Sequence, residues 1–278
     1  MSSKILGVSN LQTCFADKYT IPKLTTSPVG LSTRTIGVMV MTHGDDRGLV
    51  VPPRIARHQV VIVPVGITAK TTEEDRTSLY KQIEALEEIL KATDIRVIAD
   101  QREGYSPGWK FNDWEMKGVP LRLEFGPRDA AAHKVTTSRR DIQGDEGKGT
   151  IAITELATGV KDLLDTIQKD LYDRANESFK SHTKKITNWD DFVPALNSKN
   201  VCLIPHCLTE KCEDEIKELS ARKEDDGVPA DERAPSMGAK SLCIPFDQPE
   251  GLIKGETKCT NPNCTNKAEE WCLFGRSY

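Results

Sequence analysis

The run "HQVVIVPVGI", residues 58–67, is a nearly continuous series of β-branched side chains. This composition is typical of a strand that is buried on both faces, as in a parallel sheet. In the stretch "TTEED", residues 71–75, a Thr is followed three residues later by an acid, a pattern that marks the start of a helix. The apolar residues that follow share one face of the predicted helix, and they are Leu79, Ile83, Leu86 and Leu90. After this helix a second short strand, "IRVIAD", is predicted at residues 95–100. This strand–helix–strand order implies a right-handed crossover between two parallel strands.

The α/β pattern continues downstream of this unit. A loop and a short helix come first, and residues 119–125 then alternate between apolar and polar side chains, as expected for a strand with one buried face. A partner strand is predicted at residues 134–141, and a long helix with one apolar stripe at residues 153–171. Upstream, the apolar run "GLSTRTIGVMVM", residues 30–41, predicts a further strand.

The composition limits the class of protein. A chain of 278 residues is long enough for about two domains, and its 29% charged and 37% hydrophobic residues are typical of a soluble globular protein. No apolar run approaches the ~18 residues of a membrane span, and residues 1–15 make a poor secretory signal. Eight cysteines are too few for a disulfide scaffold of this length, so we expect a reducing, cytoplasmic location.

Two pairs of cysteines have a spacing suited to metal ligands. Each pair encloses four residues, and the members are Cys207, Cys212, Cys259 and Cys264. Four thiolates from two turns can close a tetrahedron around a structural zinc ion, and they leave no position for a catalytic water. The alternative is four unrelated free thiols. The other cysteines are expected to be small buried apolar residues, and they are Cys14, Cys202, Cys243 and Cys272.

Charges of both signs and aromatic rings are concentrated in residues 96–140. This segment has nine basic and six acidic residues, with flat apolar faces at Tyr105, Trp109, Phe111 and Trp114. Basic groups can bind phosphates, carboxylates can accept from base amino groups, and rings can stack on unpaired bases. Because the whole chain has a net charge of −4, contact with a nucleic acid requires a local patch of this kind. The alternative interpretation is a solvated face in which the charges form ion pairs over core aromatics.

Four runs resemble the C-terminal portion of prolyl-tRNA synthetases of the eukaryotic and archaeal type, a family of class II aminoacyl-tRNA synthetases. "GLSTRTIGVMVMTHGDDRGLVVPPRIA" (30–56) is similar to the family's motif 3, and "SPGWKFNDWEMKGVPLRLEFGPRDAA" (106–131) resembles the core of its anticodon-binding domain. "APSMGAKSLCIPF" (234–246) and "LFGRSY" (273–278) are similar to its zinc-binding domain.

The resemblance implies a fold and a domain organisation. The expected fold is α/β, in which a domain with a mixed five-stranded sheet and flanking helices is followed by a smaller zinc-binding α/β domain. The expected segments are an irregular leader (1–29), a motif 3 remnant (30–57), the anticodon-binding domain (58–150) and the zinc domain (151–278).

The resemblance also implies roles for individual residues. Ser32, Thr33 and Arg34 would line the site at which motif 3 holds ATP, and Tyr278 would dock near the catalytic domain. The four paired cysteines would be the zinc ligands. The expected tRNA-binding residues, of which Lys110, Glu115 and Lys117 are the leading candidates, are Arg102, Lys110, Glu115, Lys117, Arg122, Arg128 and Arg140.

The chain also differs from an intact member of that family. No segment resembles motif 1 or motif 2, and residues 1–29 do not resemble the sequence expected before motif 3. The family reaction joins proline to ATP with the help of Mg²⁺ and then passes the prolyl group to tRNA(Pro), but we expect no prolyl-adenylate from this chain alone. We therefore interpret it as the tRNA-binding and zinc domains of a truncated synthetase. The alternative is a non-catalytic tRNA-binding or synthetase-associated regulatory module. In either case the expected partners are tRNA(Pro) and a second copy or a full-length synthetase, and we expect no DNA or membrane partner.

Overall fold

The computed structural model describes residues 32–68, 71–221 and 238–276. The chain divides into two compact units, residues 1–175 and 176–278. The predicted irregular leader, Cys14 and Tyr278 lie outside the described residues. Within the described ranges, no helix has both the length and the apolar character needed to span a membrane. The domain limits at 29/30, 57/58 and 150/151 stay predictions.

The first unit is a mixed sheet covered by helices. Its order along the chain is α1 (Arg34–His43), β1 (Val60–Pro64), α2 (Glu73–Lys91), β2 (Val97–Ala99), α3 (Pro107–Met116), β3 (Leu121–Phe125), α4 (Pro127–Ala131), β4 (Lys134–Arg139), β5 (Lys148–Ala152) and α5 (Leu156–His182). The strands lie in the order β2-β1-β3-β4-β5. Strand β1 is parallel to β2 and β3, whereas β3–β4 and β4–β5 are antiparallel. The predicted α/β fold with a mixed five-stranded sheet is confirmed.

The predicted strand–helix–strand unit is present, for the reasons that its sequence suggests. All five residues of β1 are buried, as expected for a strand covered on both sides. The Thr72 side chain caps α2 by accepting a hydrogen bond from the Asp75 amide. The helix buries one stripe of side chains against the sheet, and these are Leu79, Ile83, Leu86 and Leu90.

The strand predicted at residues 30–41 is wrong, because residues 34–43 form helix α1. None of its residues is buried, and Ile36 and Met41 are 62% and 80% exposed. A strand satisfies its backbone groups only by pairing with another strand, whereas a helix pairs them within the segment. No strand among the described residues pairs with this segment, so its backbone groups are satisfied within a helix despite the β-branched side chains.

Gly118 lies in the connection between α3 and β3 and has a backbone conformation that favours glycine. Its φ is +73°, and a Cβ atom there would lie 2.7 Å from both the Cβ and the carbonyl oxygen of Leu49. We expect Gly118→Ala to lower the free energy of unfolding by about 2 kcal/mol or more in urea titrations. The control is Gly37→Ala in α1, where no atom lies within 4 Å of the added Cβ. Equal stabilities of the two variants would contradict the assignment of strain to Gly118.

The second unit is a smaller sheet with two helices. After the end of α5, the chain forms β6 (Thr183–Lys185), α6 (Trp189–Asn197), β7 (Val201–His206), α7 (Glu210–Leu219), β8 (Lys240–Cys243) and β9 (Glu270–Gly275). The strands lie in the order β6-β7-β9-β8. Central strands β7 and β9 are antiparallel and almost completely buried. One face of this sheet packs on α6 and α7 in a core that includes the cysteine pairs.

Candidate nucleic-acid interface and metal centre

Helix α3 presents two charged and aromatic flanks. Its N-cap is Ser106, whose hydroxyl accepts a hydrogen bond from the Trp109 amide at 3.3 Å. Residues four positions apart lie on the same side of an α-helix. Phe111 and Glu115 therefore share one flank, and Trp109 and Asp113 share the other.

The first flank meets β3 and β4 in a group that we call the Phe111–Arg122 face, consisting of Phe111, Glu115, Arg122, Glu124 and Ser138. The Arg122 guanidinium lies over the Phe111 ring, 3.9 Å from its centroid. It donates to Glu115 at 2.9 Å, to Glu124 at 3.1 Å and to the Ser138 hydroxyl at 3.2 Å. This arrangement places a flat cation, a ring and two carboxylates side by side, as is needed to stack on and hydrogen-bond an unpaired base.

Arg128 lies on the short helix α4, which directly follows β3. Its side chain is exposed, and it makes no ion pair with the described residues. Asp129 anchors the helix by accepting from the Gly126 amide at 3.0 Å and from the Thr136 hydroxyl of β4 at 2.9 Å. Arg128 is therefore an available cation on a fixed element.

The second flank surrounds a buried carboxylate at the end of β2, and we call this group the Asp100 cluster. Asp100 is 3% exposed and accepts two hydrogen bonds from the Arg102 guanidinium, at 2.9 and 2.7 Å, and one from the Trp114 ring nitrogen at 2.7 Å. Burial alone would raise the pKa of Asp100, but the bonds from Arg102 and Trp114 and the charge of Lys110 lower it to about 2. Arg102 also donates to Asp113, which accepts from Lys117 as well. The cluster is thus a closed network of paired charges.

Two expected tRNA contacts are buried rather than exposed. Lys110 is 4% exposed and donates to the Asp100 carbonyl oxygen at 3.0 Å, and burial lowers its pKa. Arg140 is also 4% exposed, donates to both oxygens of Asp45 at 2.6 and 2.7 Å, and donates to the Glu115 carbonyl oxygen at 2.9 Å. Both cations therefore stabilise the backbone beneath the surface and are not part of the exposed surface. The sequence did not reveal their burial, because Lys and Arg are usually exposed.

The mixed charges of residues 112–129 are largely explained by pairing within the fold. Lys117 pairs with Asp113, and Arg122 pairs with Glu115 and Glu124. The alternative interpretation of this segment, an ion-paired face over aromatic residues, thus describes most of its charges. Arg128 is the basic residue of the segment that keeps its charge exposed and unpaired among the described residues.

The pKa shifts of Asp100 and Asp45 predict acid sensitivity of the first unit. A hydrogen bond from Arg140 lowers the pKa of Asp45 to about 2, the same value as for Asp100. In the unfolded chain an Asp has a pKa of about 3.9, so these pairs stabilise the fold fully above that pH and lose their contribution as the pH falls to about 2. We expect the free energy of unfolding in urea titrations to fall between pH 4 and 2 and to fall less in Asp45→Asn. An unchanged slope in that variant would contradict the role of Asp45.

Ser32, Thr33 and Arg34 lie at the start of α1, and all three are exposed. The Ser32 and Thr33 carbonyl oxygens accept from the amides of the first helical turn. The three residues are neighbours only because they are consecutive in the chain, and no other described side chain forms a hydrogen bond or ion pair with them. The described residues therefore form no nucleotide pocket around them.

The four paired cysteines converge at one end of the second unit. Cys207 and Cys212 come from the β7–α7 connection and the first turn of α7, and Cys259 and Cys264 from a loop before β9. The sulfurs of Cys207 and Cys264 are 3.7 Å apart, and those of Cys212 and Cys259 are 3.6 Å apart. These separations match the edge of about 3.8 Å in a tetrahedron with zinc–sulfur distances of about 2.3 Å. The cluster can hold a metal ion.

Two neighbours of this cluster were not predicted from the sequence. His206 has a ring nitrogen within 4.8 Å of the sulfurs of Cys207, Cys212 and Cys259. Asn261 donates to the Cys212 sulfur at 3.2 Å. The histidine immediately before Cys207 is a signal that sequence reasoning could have used, since histidine is a common metal ligand.

The other cysteines divide into two groups. Cys202 and Cys272 are buried as predicted, and burial raises the pKa of each to about 11. The prediction for Cys243 is wrong, because it is exposed at the end of the edge strand β8. An edge strand leaves one side of its residues open to solvent, which the apolar context in the sequence does not reveal.

Comparisons with known proteins assign both units. Residues 59–163 match a family model described as "Anticodon binding domain", and residues 189–278 match "Prolyl-tRNA synthetase, C-terminal". A putative proline–tRNA ligase of Schizosaccharomyces pombe is 53% identical over 252 residues, which cover 90% of this chain and 34% of that protein. A cytoplasmic proline–tRNA ligase of Arabidopsis thaliana is 42% identical over 249 residues, covering 89% of this chain and 42% of the relative.

A solved structure is similar over the same range. The crystal structure of prolyl-tRNA synthetase from Cryptosporidium parvum, complexed with halofuginone and AMPPNP, has a TM-score of 0.76 and 39% identity, and the match covers 89% of this chain and 46% of that one. The chain thus spans about a third to a half of the length of these relatives. The sequence resemblance is confirmed: residues 59–163 and 189–278 of this chain match the anticodon-binding domain and the C-terminal domain of prolyl-tRNA synthetases.

Proposed function

We propose that this chain binds the anticodon loop of tRNA(Pro) through the Phe111–Arg122 face and Arg128. The observation that carries the proposal is the Arg122 guanidinium held over the Phe111 ring between two carboxylates. An unpaired base can stack on such a surface, while the remaining lone pairs of Glu115 and Glu124 offer acceptors for base amino groups. Arg122 is 11% exposed and bonded to both carboxylates, so it holds them and the ring in place. Arg128 supplies the charge for a phosphate of the loop.

The other expected contacts have supporting roles in this proposal. Lys110 and Arg140 hold α3 in place through the Asp100 and Glu115 carbonyl oxygens, and Arg102 and Lys117 belong to the neighbouring Asp100 cluster. Lys117 is exposed, and its ammonium group lies 4.6 Å from the centroid of the Trp114 ring. This group can bind a phosphate if it gives up its ion pair with Asp113. Arg128 and the Phe111–Arg122 face therefore replace Lys110 as the leading contacts.

Substitution of the exposed cation tests the phosphate contact. We expect Arg128→Glu to weaken the binding of tRNA(Pro) about tenfold or more at 0.1 M salt. The slope of log affinity against log salt concentration should become smaller by about one, because one fewer phosphate is neutralised. Lys81→Glu in α2 makes the same change of charge at an exposed position and serves as the control. Equal losses in the two variants would show that only the net charge matters and would contradict a contact at Arg128.

Removal of the stacking pair tests the base contact. Phe111→Ala is expected to weaken binding by about 1–3 kcal/mol, which is the usual value of one stacked base. The loss should not depend on salt concentration, because no charge is removed. Full affinity in Phe111→Ala, measured by titration at two salt concentrations, would remove the stacking role.

We further propose that the metal ion is zinc and that Cys207, Cys212, Cys259 and Cys264 hold it as a structural ion. Thiolate sulfur is the ligand that zinc prefers in closed structural sites, and the two sulfur–sulfur distances fit a tetrahedron. Burial raises the pKa of Cys207, but hydrogen bonds with Thr209 outweigh it and lower the value to about 7. The ion would join the β7–α7 connection to the loop before β9.

The activity of an intact synthetase is a further proposal. In such a protein, Ser32, Thr33 and Arg34 would contact ATP with its Mg²⁺, and proline would be joined to tRNA(Pro) in the cytoplasm. The 278-residue chain is expected to give no proline-dependent ATP–pyrophosphate exchange, because no segment supplies the motif 2 arginine. Exchange at the rate of an intact synthetase would contradict this.

A second candidate function is association with another polypeptide, either a second copy or a full-length synthetase. The observation in its favour is α1, which has no buried residue and exposes Ile36 and Met41. Co-purification with an intact proline–tRNA ligase that is lost in Ile36→Lys/Met41→Lys would support it. Retention of the complex in that variant would exclude α1 as the contact.

A further inference from the structure

The metal cluster contains five donors, one more than a tetrahedral ion needs. His206 ends β7 directly before Cys207, and one ring nitrogen lies within 4.8 Å of three sulfurs, those of Cys207, Cys212 and Cys259. Cys264 lies beside the same group, with its sulfur 3.7 Å from that of Cys207. A structural zinc ion takes four ligands. Three thiols are thus common to two ligand sets, which differ in whether Cys264 or His206 is the fourth donor.

His206 is buried without a full set of hydrogen bonds. It is 2% exposed, and the Leu208 amide donates to its Nδ1 at 3.2 Å. Its Nε2 is also buried and has no hydrogen-bond partner among the described residues. A buried polar atom without a partner is unfavourable, and each such atom in a native protein calls for an explanation. Hydrogen bonds from the described residues therefore hold the His206 ring only at Nδ1, and the observation that connects the ring to the metal centre is its distance to three sulfurs.

Cys264 differs from the other three thiols in its accessibility. Cys207, Cys212 and Cys259 are buried, whereas Cys264 is half-buried. Because alkylating agents and peroxides must reach a sulfur atom to react with it, Cys264 is the ligand most easily lost. A site with only four donors would then be left open at one corner.

We propose that His206 is a reserve ligand, which takes the place of Cys264 when that thiolate is lost. The inference rests on the zinc centre proposed above. Because Nδ1 accepts from Leu208, the neutral ring carries its proton on Nε2. Coordination through Nδ1 would replace that one hydrogen bond and would require no proton to move within the ring. Exchange of a thiolate for a neutral imidazole would also reduce the negative charge of the centre by one.

Zinc content and zinc affinity of the full chain test this proposal. We expect Cys264→Ser to keep one zinc ion per chain with an affinity lowered about 10- to 100-fold, and Cys264→Ser/His206→Phe to lose about another 100-fold or more. His206→Phe keeps an aromatic ring against Phe274, whose ring lies 5.2 Å from that of His206. Cys243→Ser removes an exposed thiol outside the cluster and should leave the affinity unchanged.

X-ray absorption at the zinc edge of Cys264→Ser gives a readout that leaves His206 intact. The expected spectrum shows three sulfur ligands and one imidazole nitrogen. Three sulfurs with a water ligand, no zinc in Cys264→Ser, or equal affinities of the single and double variants would overturn the reserve role. Absence of zinc from the unaltered chain would instead refute the zinc centre itself.

Discussion

Replacement of Asp100 by Ala is expected to lower the free energy of unfolding of the first unit by about 3–5 kcal/mol, because it leaves a buried cation without its partner. Asp100 is the common acceptor for Arg102 and Trp114, and the Lys110 ammonium lies 3.9 Å from one of its oxygens. Lys110 is buried, so water cannot compensate for the lost carboxylate. The loss should be visible as an earlier transition in urea unfolding followed by circular dichroism.

Two controls separate this effect from a general loss of charge. Asp145→Ala removes a carboxylate from an exposed ion pair with Lys148 and should change stability far less, because solvent screens that pair. Asp100→Ala/Lys110→Met removes both partners and is expected to recover much of the lost stability. If the double variant were less stable than Asp100→Ala, the unpaired Lys110 charge could not be the cause.

Removal of zinc is expected to lower the melting temperature of the second unit by about 10 °C or more, because an ion at about 100 times its Kd contributes about 2.7 kcal/mol. The proposed ligands join the β7–α7 connection to the loop before β9, so without the ion these segments are held by packing and by a few hydrogen bonds, such as that from Asn261 to Glu215. Calorimetry of the full chain with and without a chelator measures the shift, and the transition of the first unit should stay in place.

Variants of single thiols test the same prediction without a chelator. Cys212→Ser is expected to reproduce the loss seen on chelation, since Cys212 is buried within the cluster. Cys243→Ser alters an exposed thiol and should melt like the unaltered chain. Zinc-free protein that melts at the same temperature as the zinc-loaded chain would contradict a structural ion.

Much of the fold could be predicted from local patterns in the sequence. The β-branched run at β1, the threonine cap of α2 and the buried stripe from Leu79 to Leu90 each depend on residues close together in the chain, and all are present. The prediction of a strand at residues 30–41 was wrong because it relied on the β-propensity of the side chains. A strand also needs a partner strand, which the surrounding sequence does not specify.

The candidate sites were harder to predict, because they depend on contacts between distant residues. The sequence indicated which residues of the 96–140 region carry charge, but not that Arg140 pairs with Asp45, 95 positions away, or that Lys110 is buried. The cysteine pairs were found because their spacing is short and regular. His206 directly precedes Cys207 in the sequence, but its proximity to Cys212 and Cys259 becomes evident only in the folded chain.

The most direct test of the central claim is a titration of the unaltered chain with tRNA(Pro) and with the same tRNA carrying an unrelated anticodon, at about 0.15 M salt. Reading of even one base by a well-placed pair contributes about 1–3 kcal/mol, so we expect tRNA(Pro) to bind about tenfold more tightly or better. The preference should be lost in Phe111→Ala/Arg122→Ala. Equal affinities of the unaltered chain for the two tRNAs would contradict the claim that the Phe111–Arg122 face reads the anticodon.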